Sequence, residues 1–386
     1  MNIPRCKKFS GYKPCISYEN CLENGCQMDS PDNRMGTKFL IISLDGLSNV
    51  LLNTSVLKSI KNKFPESTIY WLTAEKPKPL LENNQYIDGI YFWNETDRMI
   101  LRSMKFDFLF NTEKSISVCA FANEINAVTK KGFLLNADGQ VVPADEDALD
   151  NYRLGVDDNF RFKENKKSKI QIIHETFGLE NKNAEYIYNF TEQELKLIDD
   201  FKRQVHFDRS KFYIGFNTGS SLKFPDKKMT IGQHIYLITE LLKNDYMRVV
   251  LLGGKEDTER NLEIYDAFDS ETQKKIIYTP TNLGLRSGAS FMNIPDVVIT
   301  GDSFGMHMAI ALKKYVIAWF GITPPAEVEL FEKGAKIIPE AVQTPAYASN
   351  GHNFNPELIS ESDLNKIVNL VKRFCLIQPF KNMIDN

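Results

Sequence analysis

The chain has 386 residues, 42% of them hydrophobic, with 47 lysines and arginines against 50 aspartates and glutamates. That length suits two domains with separate cores, and a net charge of −3 excludes the global basic field that holds nucleic acid. No run approaches the roughly 20 apolar residues of a membrane helix, and "MNIPRCKKFSGYKPC" contains no apolar leader core, so a cytoplasmic protein is expected.

Residues 1–34 form a cysteine-rich arm. Four of the six cysteines, Cys6, Cys15, Cys21 and Cys26, lie in it. In a reducing compartment such density points to a metal site rather than to disulfides, with free or oxidisable thiols as the alternative. The spacing C-x8-C-x5-C-x4-C departs from the paired knuckles of zinc fingers. Four thiolates still suit zinc, iron or an iron–sulfur cluster, and a shell of four sulfurs leaves no open position for catalysis.

From 35 to 205 apolar runs alternate with amphipathic stretches. "KFLIISL" (38–44), "TIYWLT" (68–73), "GIYFWN" (89–94) and "FDFLFN" (106–111) read as strands, and "NVLLNTSVLKSIKNKF" (49–64) as one helix ended by Pro65. Such alternation predicts a parallel sheet covered on both faces. "FLLNADGQVVP" (133–143) carries an Asp-Gly hairpin signal and reads as a decoration on this unit. "KENKKSK" (163–169) reads as a solvated basic run. Thr191 and Glu194 form a capping-box pattern at the start of "TEQELKLIDDFKRQV" (191–205).

A second series fills 206–386. "FYIGFN" (212–217), "RVVLLGG" (248–254), "KIIY" (275–278), "DVVIT" (296–300) and "YVIAWFG" (315–321) read as buried strands. The final helix "ESDLNKIVNLVKRF" is expected to pack back across the domains. Two doubly wound α/β units in tandem put a cleft between two sets of strand C-termini, where such folds bind ligands.

Several strand ends in the second half carry small and polar residues suited to an anion. In "NTGSSLKFPDKK" (217–228), Thr218, Gly219, Ser220 and Ser221 present N–H groups and hydroxyls, while Lys227 and Lys228 supply charge. In "GGKED" (253–257), Gly253 and Gly254 let a nucleotide approach the backbone. In "GDSFGMHMAIAL", Ser303, Phe304, Gly305 and Met306 open a helix whose positive end would face the cleft. Asp302 there would cap the helix or orient a neighbour. His307, in the first turn, is read as a diphosphate partner rather than a packed core histidine, because it follows a strand C-terminus.

"GDSFGMHMAIALKKYVIAWFG" (301–321) resembles the signature of glycosyltransferase family 9, the ADP-heptose:lipopolysaccharide heptosyltransferases, in which a D-S-G-x-x-H run precedes A-x-A-L and a strand ending in F-G. "NVLLNTSVLKSIKNKFPESTIYWLT", "GFNTGSS…DKK" and "VVLLGGKEDTERN" are similar to further segments of the family, so the resemblance runs from 38 to about 331. It implies a GT-B fold, with the nucleotide-sugar donor on the second Rossmann-like domain and the acceptor on the first. It also implies an inverting transfer with no metal at the active site, a carboxylate taking the acceptor's proton. Lys227, Asp302, Ser303, Gly305 and His307 match the family's donor motifs, and Glu256 is placed on the ribose, as carboxylates commonly are.

The chain departs from the family at the base. Where the family has L-G-D-V after the first strand, this sequence reads "LSNV", so Asn49 stands in place of the aspartate and cannot accept a proton. Asp45, in the same loop, is the replacement candidate; a turn-capping role is its alternative. A branch of the family with an N-terminal cysteine cluster carries a similar L-D-x-x pattern, which favours Asp45. Phe304 and Met229 replace a family Gly and Trp, so the donor pocket is expected to differ. The implied partners are a nucleoside-diphosphate sugar, with ADP-heptose first, and a glycan or lipid-linked acceptor, the latter with peripheral membrane association. The other classes are a catalytically inert nucleotide-sugar-binding protein and a GT-B epimerase.

Overall fold

The computed structural model describes the chain apart from residues 1–2, 19, 27–29, 31–32, 183, 221–226, 322, 342–357 and 382–386. It divides into two compact units, Met1–Asp157 with Lys169–Ile187, and Asp158–Ser168 with Tyr188–Asn386.

The first unit is built on β1 (Lys38–Ile42), β2 (Thr68–Thr73), β3 (Gly89–Phe92), β4 (Lys105–Asn111), β5 (Asn126–Leu135) and β6 (Val141–Pro143). They lie in the order β3-β2-β1-β4-β5-β6, parallel except for β6, which runs antiparallel to β5. Phe39, Leu40, Ile41 and Ile42 of β1 are wholly buried, as expected for a central strand with both faces covered. The Asp-Gly hairpin forms, with Gly139 at φ +77°, yet it is more than a decoration. Its first strand begins at Asn126 and extends the parallel sheet by pairing with β4. The reading missed this because "NAVTKKG" has too many polar residues for a buried strand.

The helix expected over 49–64 is two, Leu47–Asn53 and Ser55–Lys63. They meet at Thr54, whose hydroxyl donates to the Leu51 carbonyl at 2.6 Å and accepts the Ile187 N–H at 2.8 Å. A buried hydroxyl with its own local partners competes with the helix ladder.

The second unit holds β7 (Phe212–Asn217), β8 (Met247–Leu252), β9 (Ile276–Tyr278), β10 (Val297–Gly301), β11 (Tyr315–Trp319) and β12 (Gly334–Ile337). Their order is β12-β11-β10-β7-β8-β9, all parallel. The last helix, Glu361–Lys381, was expected to cross between domains; in the second unit it buries Leu364, Ile367, Val368, Val371 and Cys375 against this core.

The division falls at 187/188 rather than at the expected 205/206, and the cysteine-rich arm groups with the first unit. The helix Glu192–Gln204 opens with the expected capping box, and its side chains explain where it belongs. Phe201 packs on Phe291 at 4.7 Å between rings, and Arg286 pairs with Glu194 while donating to the Asn189 carbonyl at 2.7 Å. Residues 158–168, which include the start of the basic run, also go with the second unit. The Arg161 guanidinium grips both oxygens of the buried Glu327 carboxylate, at 2.6 and 3.1 Å. Among the described residues no helix is long and apolar enough to cross a membrane.

Candidate active site

In the second sheet β7 and β10 are neighbours, yet β7 leads to β8 on one side and β10 to β11 on the other. Their C-terminal ends therefore bound a topological switch point, the place where open α/β sheets bind ligands. Register puts Asn217 opposite Thr300. The Asn217 amide donates to Thr300 Oγ1 at 2.9 Å, to Ser303 Oγ at 3.0 Å and to the Gly219 carbonyl at 3.3 Å. One side chain thus ties the loop after β7 to the loop after β10.

Beyond β10 the helix Phe304–Ala311 starts at Ser303. A helix cannot satisfy its own first N–H groups, so this turn presents donors at the positive end of the dipole. The Met306 N–H is not among them, since it donates to the Ser303 carbonyl at 3.1 Å, and its side chain is wholly buried. Gly305 is required by its neighbour: a Cβ there would lie 2.5 Å from the Asn217 amide group.

Asp302 orients a neighbour, as one of its two expected roles. Its carboxylate accepts from the Lys227 ammonium at 2.6 Å and from the Thr323 hydroxyl at 2.6 Å. Burial pushes the carboxyl up, but Lys227 and the nearby His307 outweigh it and hold the pKa below the usual carboxylate value. His307 is only 7% exposed, so it is both packed and electrostatically coupled to Asp302.

The loop after β8 has an organiser that the sequence did not single out. Glu256 is exposed, whereas its neighbour Asp257 is buried and organises the loop. Asp257 accepts the Gly254 N–H at 3.0 Å and pairs with Lys228 at 3.4 Å. A Cβ on Gly219 would fall 2.0 Å from the Asp257 carboxylate, and one on Gly253 2.8 Å from the Asp257 Cβ. These glycines make room for a protein carboxylate, not only for a ligand. Thr218 is likewise committed internally, its buried hydroxyl bonded to Asn261 and the Leu252 carbonyl. Ser220 is half-buried, and Ser221 lies outside the described residues.

The sequence reading passed over Asn217 and Asp257. The only signal for Asn217 was a polar residue closing an apolar strand; its pairing with Thr300 exists only through sheet register.

In the first unit the switch point lies between β1 and β4. The loop after β1 turns at Gly46, with φ +78°, and enters the helix at Leu47. Asp45 and Asn49 are both exposed, and the Asn49 N–H is spent on the Gly46 carbonyl at 2.8 Å.

The cysteines do not form a shell of four. Cys6, Cys21 and Cys26 line one cavity of about 420 Å³ with Arg5 and Arg34, while Cys15 is exposed and absent from its lining. Among the described residues no three His, Cys, Asp or Glu side chains stand close enough together to hold a metal ion.

Known proteins resemble this chain in sequence and fold. Lipopolysaccharide heptosyltransferase 1 of Campylobacter coli is 23% identical over 305 residues, which is 74% of this chain and 84% of that protein. In fold the chain is similar to ADP-heptose lps heptosyltransferase II of E. coli, with TM-score 0.63 and 17% identity over 87% of this chain and all of that one. It is similar, too, to E. coli heptosyltransferase WaaC with ADP-2-deoxy-2-fluoro heptose, with TM-score 0.56 and 13% identity over 87% and 99% of the two chains. The family model for glycosyltransferase family 9 (heptosyltransferase) matches residues 98–353, about two thirds of the chain, and therefore takes in the whole β7–β10 site. The chain belongs to glycosyltransferase family 9.

Proposed function

We propose that this glycosyltransferase moves a heptose-like sugar from ADP-heptose to a glycan of the lipopolysaccharide type, with inversion at the anomeric carbon. The observation that carries this reading is the β7–β10 switch point. There Asn217 joins the two loops, and Lys227 is held by Asp302 beside a helix N-terminus. The heptosyltransferase names of the Campylobacter relative and of the two E. coli structures, one of them with a fluorinated ADP-heptose, support this donor class.

In this mechanism Asp45 accepts the proton of the attacking hydroxyl, and the new bond to the anomeric carbon forms as the bond to the diphosphate breaks. The charge that grows on the leaving diphosphate is met by Lys227 and by the first-turn N–H groups of the helix Phe304–Ala311. Asp302 does not touch the phosphates; it fixes the lysine that does.

The reading is checked by thermal shift with ADP, GDP, UDP and ADP-heptose. A ligand at a hundred times its Kd stabilises the native state by about 2.7 kcal/mol, so ADP and ADP-heptose should raise Tm by several degrees. Lys227→Gln should abolish the rise. No shift with any of the four nucleotides would remove the donor site.

For the cysteine-rich arm we propose a structural metal, zinc, iron or an iron–sulfur cluster, that draws Cys6, Cys15, Cys21 and Cys26 together when it binds; Cys6, Cys21 and Cys26 already line one cavity. Elemental analysis of protein purified without added metal should find the metal in the native chain and lost in both Cys21→Ser and Cys15→Ser. Metal content in Cys15→Ser equal to that of the native chain would sink the four-cysteine site, and no metal in the native chain would end the proposal.

A further inference from the structure

The mechanism above makes no use of Glu113, a half-buried carboxylate just past the end of β4. Its surroundings are built. Register pairs Ile42 with Asn111, so the loops after β1 and β4 leave the sheet side by side at the switch point. Below them Asn53 donates to Ser43 Oγ at 2.9 Å and to Thr112 Oγ1 at 3.2 Å, latching the two strand ends together. Glu113 Oε1 accepts the Leu44 N–H at 2.7 Å, and the Asp45 amide lies close enough to bear on the same carboxylate.

The backbone of Glu113 is itself held. Its N–H donates to Asn111 Oδ1 at 3.0 Å, and its carbonyl accepts from Asn111 Nδ2 at 3.3 Å and from the Cys119 thiol at 3.3 Å. Asn111 is wholly buried and donates also to the Phe133 carbonyl at 2.7 Å, so this anchor reaches into the sheet. Burial pushes the Glu113 carboxyl up, the two backbone N–H groups counter that, and the charge of Asp45 adds to the rise.

We propose that Glu113 is a positioning residue for transfer: it clamps the Leu44–Asp45 backbone and so fixes where the Asp45 carboxylate stands at the strand ends. The proposal rests on the reading of Asp45 as base. An exposed carboxylate on a loop next to a left-handed glycine has many backbone states open to it. A hydrogen bond from the Leu44 amide to an anchored carboxylate, with the Asp45 amide beside it, removes many of them. Hydrogen bonds to an ionised acceptor are about twice as strong as neutral ones, which explains an acid at this position. Glutamine keeps an acceptor oxygen with two lone pairs and should preserve much of the clamp.

The test compares Glu113→Ala, Glu113→Gln and Asp45→Asn. One measurement is ADP release from ADP-heptose with a truncated lipopolysaccharide core as acceptor; the other is hydrogen exchange at the Leu44 and Asp45 amides. A misplacement of about 1 Å costs on the order of 100-fold, so Glu113→Ala should lose about that factor in kcat with KM for ADP-heptose little changed. Glu113→Gln should recover most of it. Exchange at the Leu44 amide should be faster in Glu113→Ala and near native in Glu113→Gln.

An unchanged kcat in Glu113→Ala, or a glutamine variant as poor as alanine, would overturn the proposal. If Asp45→Asn turns over normally while Glu113→Ala does not, Glu113 acts on the substrate itself and the positioning role is wrong. If no variant, nor the native chain, uses these substrates, the donor reading fails separately. The exchange data then decide alone: unaltered exchange in Glu113→Ala overturns the clamp, and faster exchange upholds it.

Discussion

Asp45→Asn is expected to lower turnover by about 10²–10⁴-fold, the usual contribution of a positioned general base, and to leave ADP affinity unchanged. The two effects separate because the groups lie on different units. Asp45 stands on the first sheet's switch-point loop, whereas every residue assigned to the diphosphate belongs to the second unit. The substitution keeps size and shape while removing the negative charge and the ability to accept a proton. Asp45 is exposed, so no cavity or orphaned buried partner complicates the result. The measurement is kcat from ADP release beside a thermal shift with ADP. Full turnover in the variant would take Asp45 out of the mechanism. With Asn49 already unable to act, that outcome would turn attention to Glu113.

The second large effect is on stability. Asp302→Ala should destabilise the protein toward the lower end of the about 3–5 kcal/mol seen when one partner of a buried ion pair is removed, because the Asp302 and Lys227 side chains remain 13% and 17% exposed. Alanine leaves the ammonium without its carboxylate and the Thr323 hydroxyl without its acceptor. It also frees Lys227 from the position proposed to meet the diphosphate, so the ADP-dependent rise in Tm should shrink with it. Adding Lys227→Met should recover part of the lost stability, because the uncompensated charge is then gone; this is the coupling that a double-mutant cycle reads.

The pair also sets a pH dependence. The folded-state pKa of Asp302 lies below its ordinary value of 3.8. The unfolded chain therefore takes up this proton first as pH falls. The stability the pair contributes is complete well above 3.8 and drains away from there downward. Urea titrations at pH 7 and pH 3.5 should show the native chain losing more than Asp302→Ala between the two. Equal losses would mean that the carboxylate contributes no acid-sensitive stability.

Much of the fold was legible in the residues. Eleven of the twelve strands needed only apolar runs or turn chemistry to be placed in part, but β12 was not foreseen and β5 was seen only at its far end. β5 pairs on one side with β4 and on the other only with the three-residue β6, so Lys130 and Lys131 are tolerated in it and mask its pattern. The capping box at Thr191 was correct because it needs nothing beyond four consecutive residues. The break at Thr54 was missed because one of the bonds that stabilise it comes from Ile187, 133 residues away.

The candidate site divides along the same line. Residue types at strand ends pointed to Lys227, Asp302, Ser303 and Gly305 from spacing and family resemblance, and the structure brings these four around one switch point. Some of their neighbours it commits inward: Thr218 and Met306 are spent on the interior, and Asp257, beside the exposed Glu256, organises the loop after β8.

By itself the sequence determined the strand–helix alternation, the two α/β units and the chemical character of the loops, since each follows from local pattern and turn chemistry. Tertiary structure alone decided which loop touches which. Asn217 meets Ser303, Lys227 meets Asp302 and Glu113 meets Leu44 because parallel register and the reversal of strand order bring together residues 69 to 86 positions apart. No local propensity encodes such a pairing; it comes from burying both faces of a sheet at once.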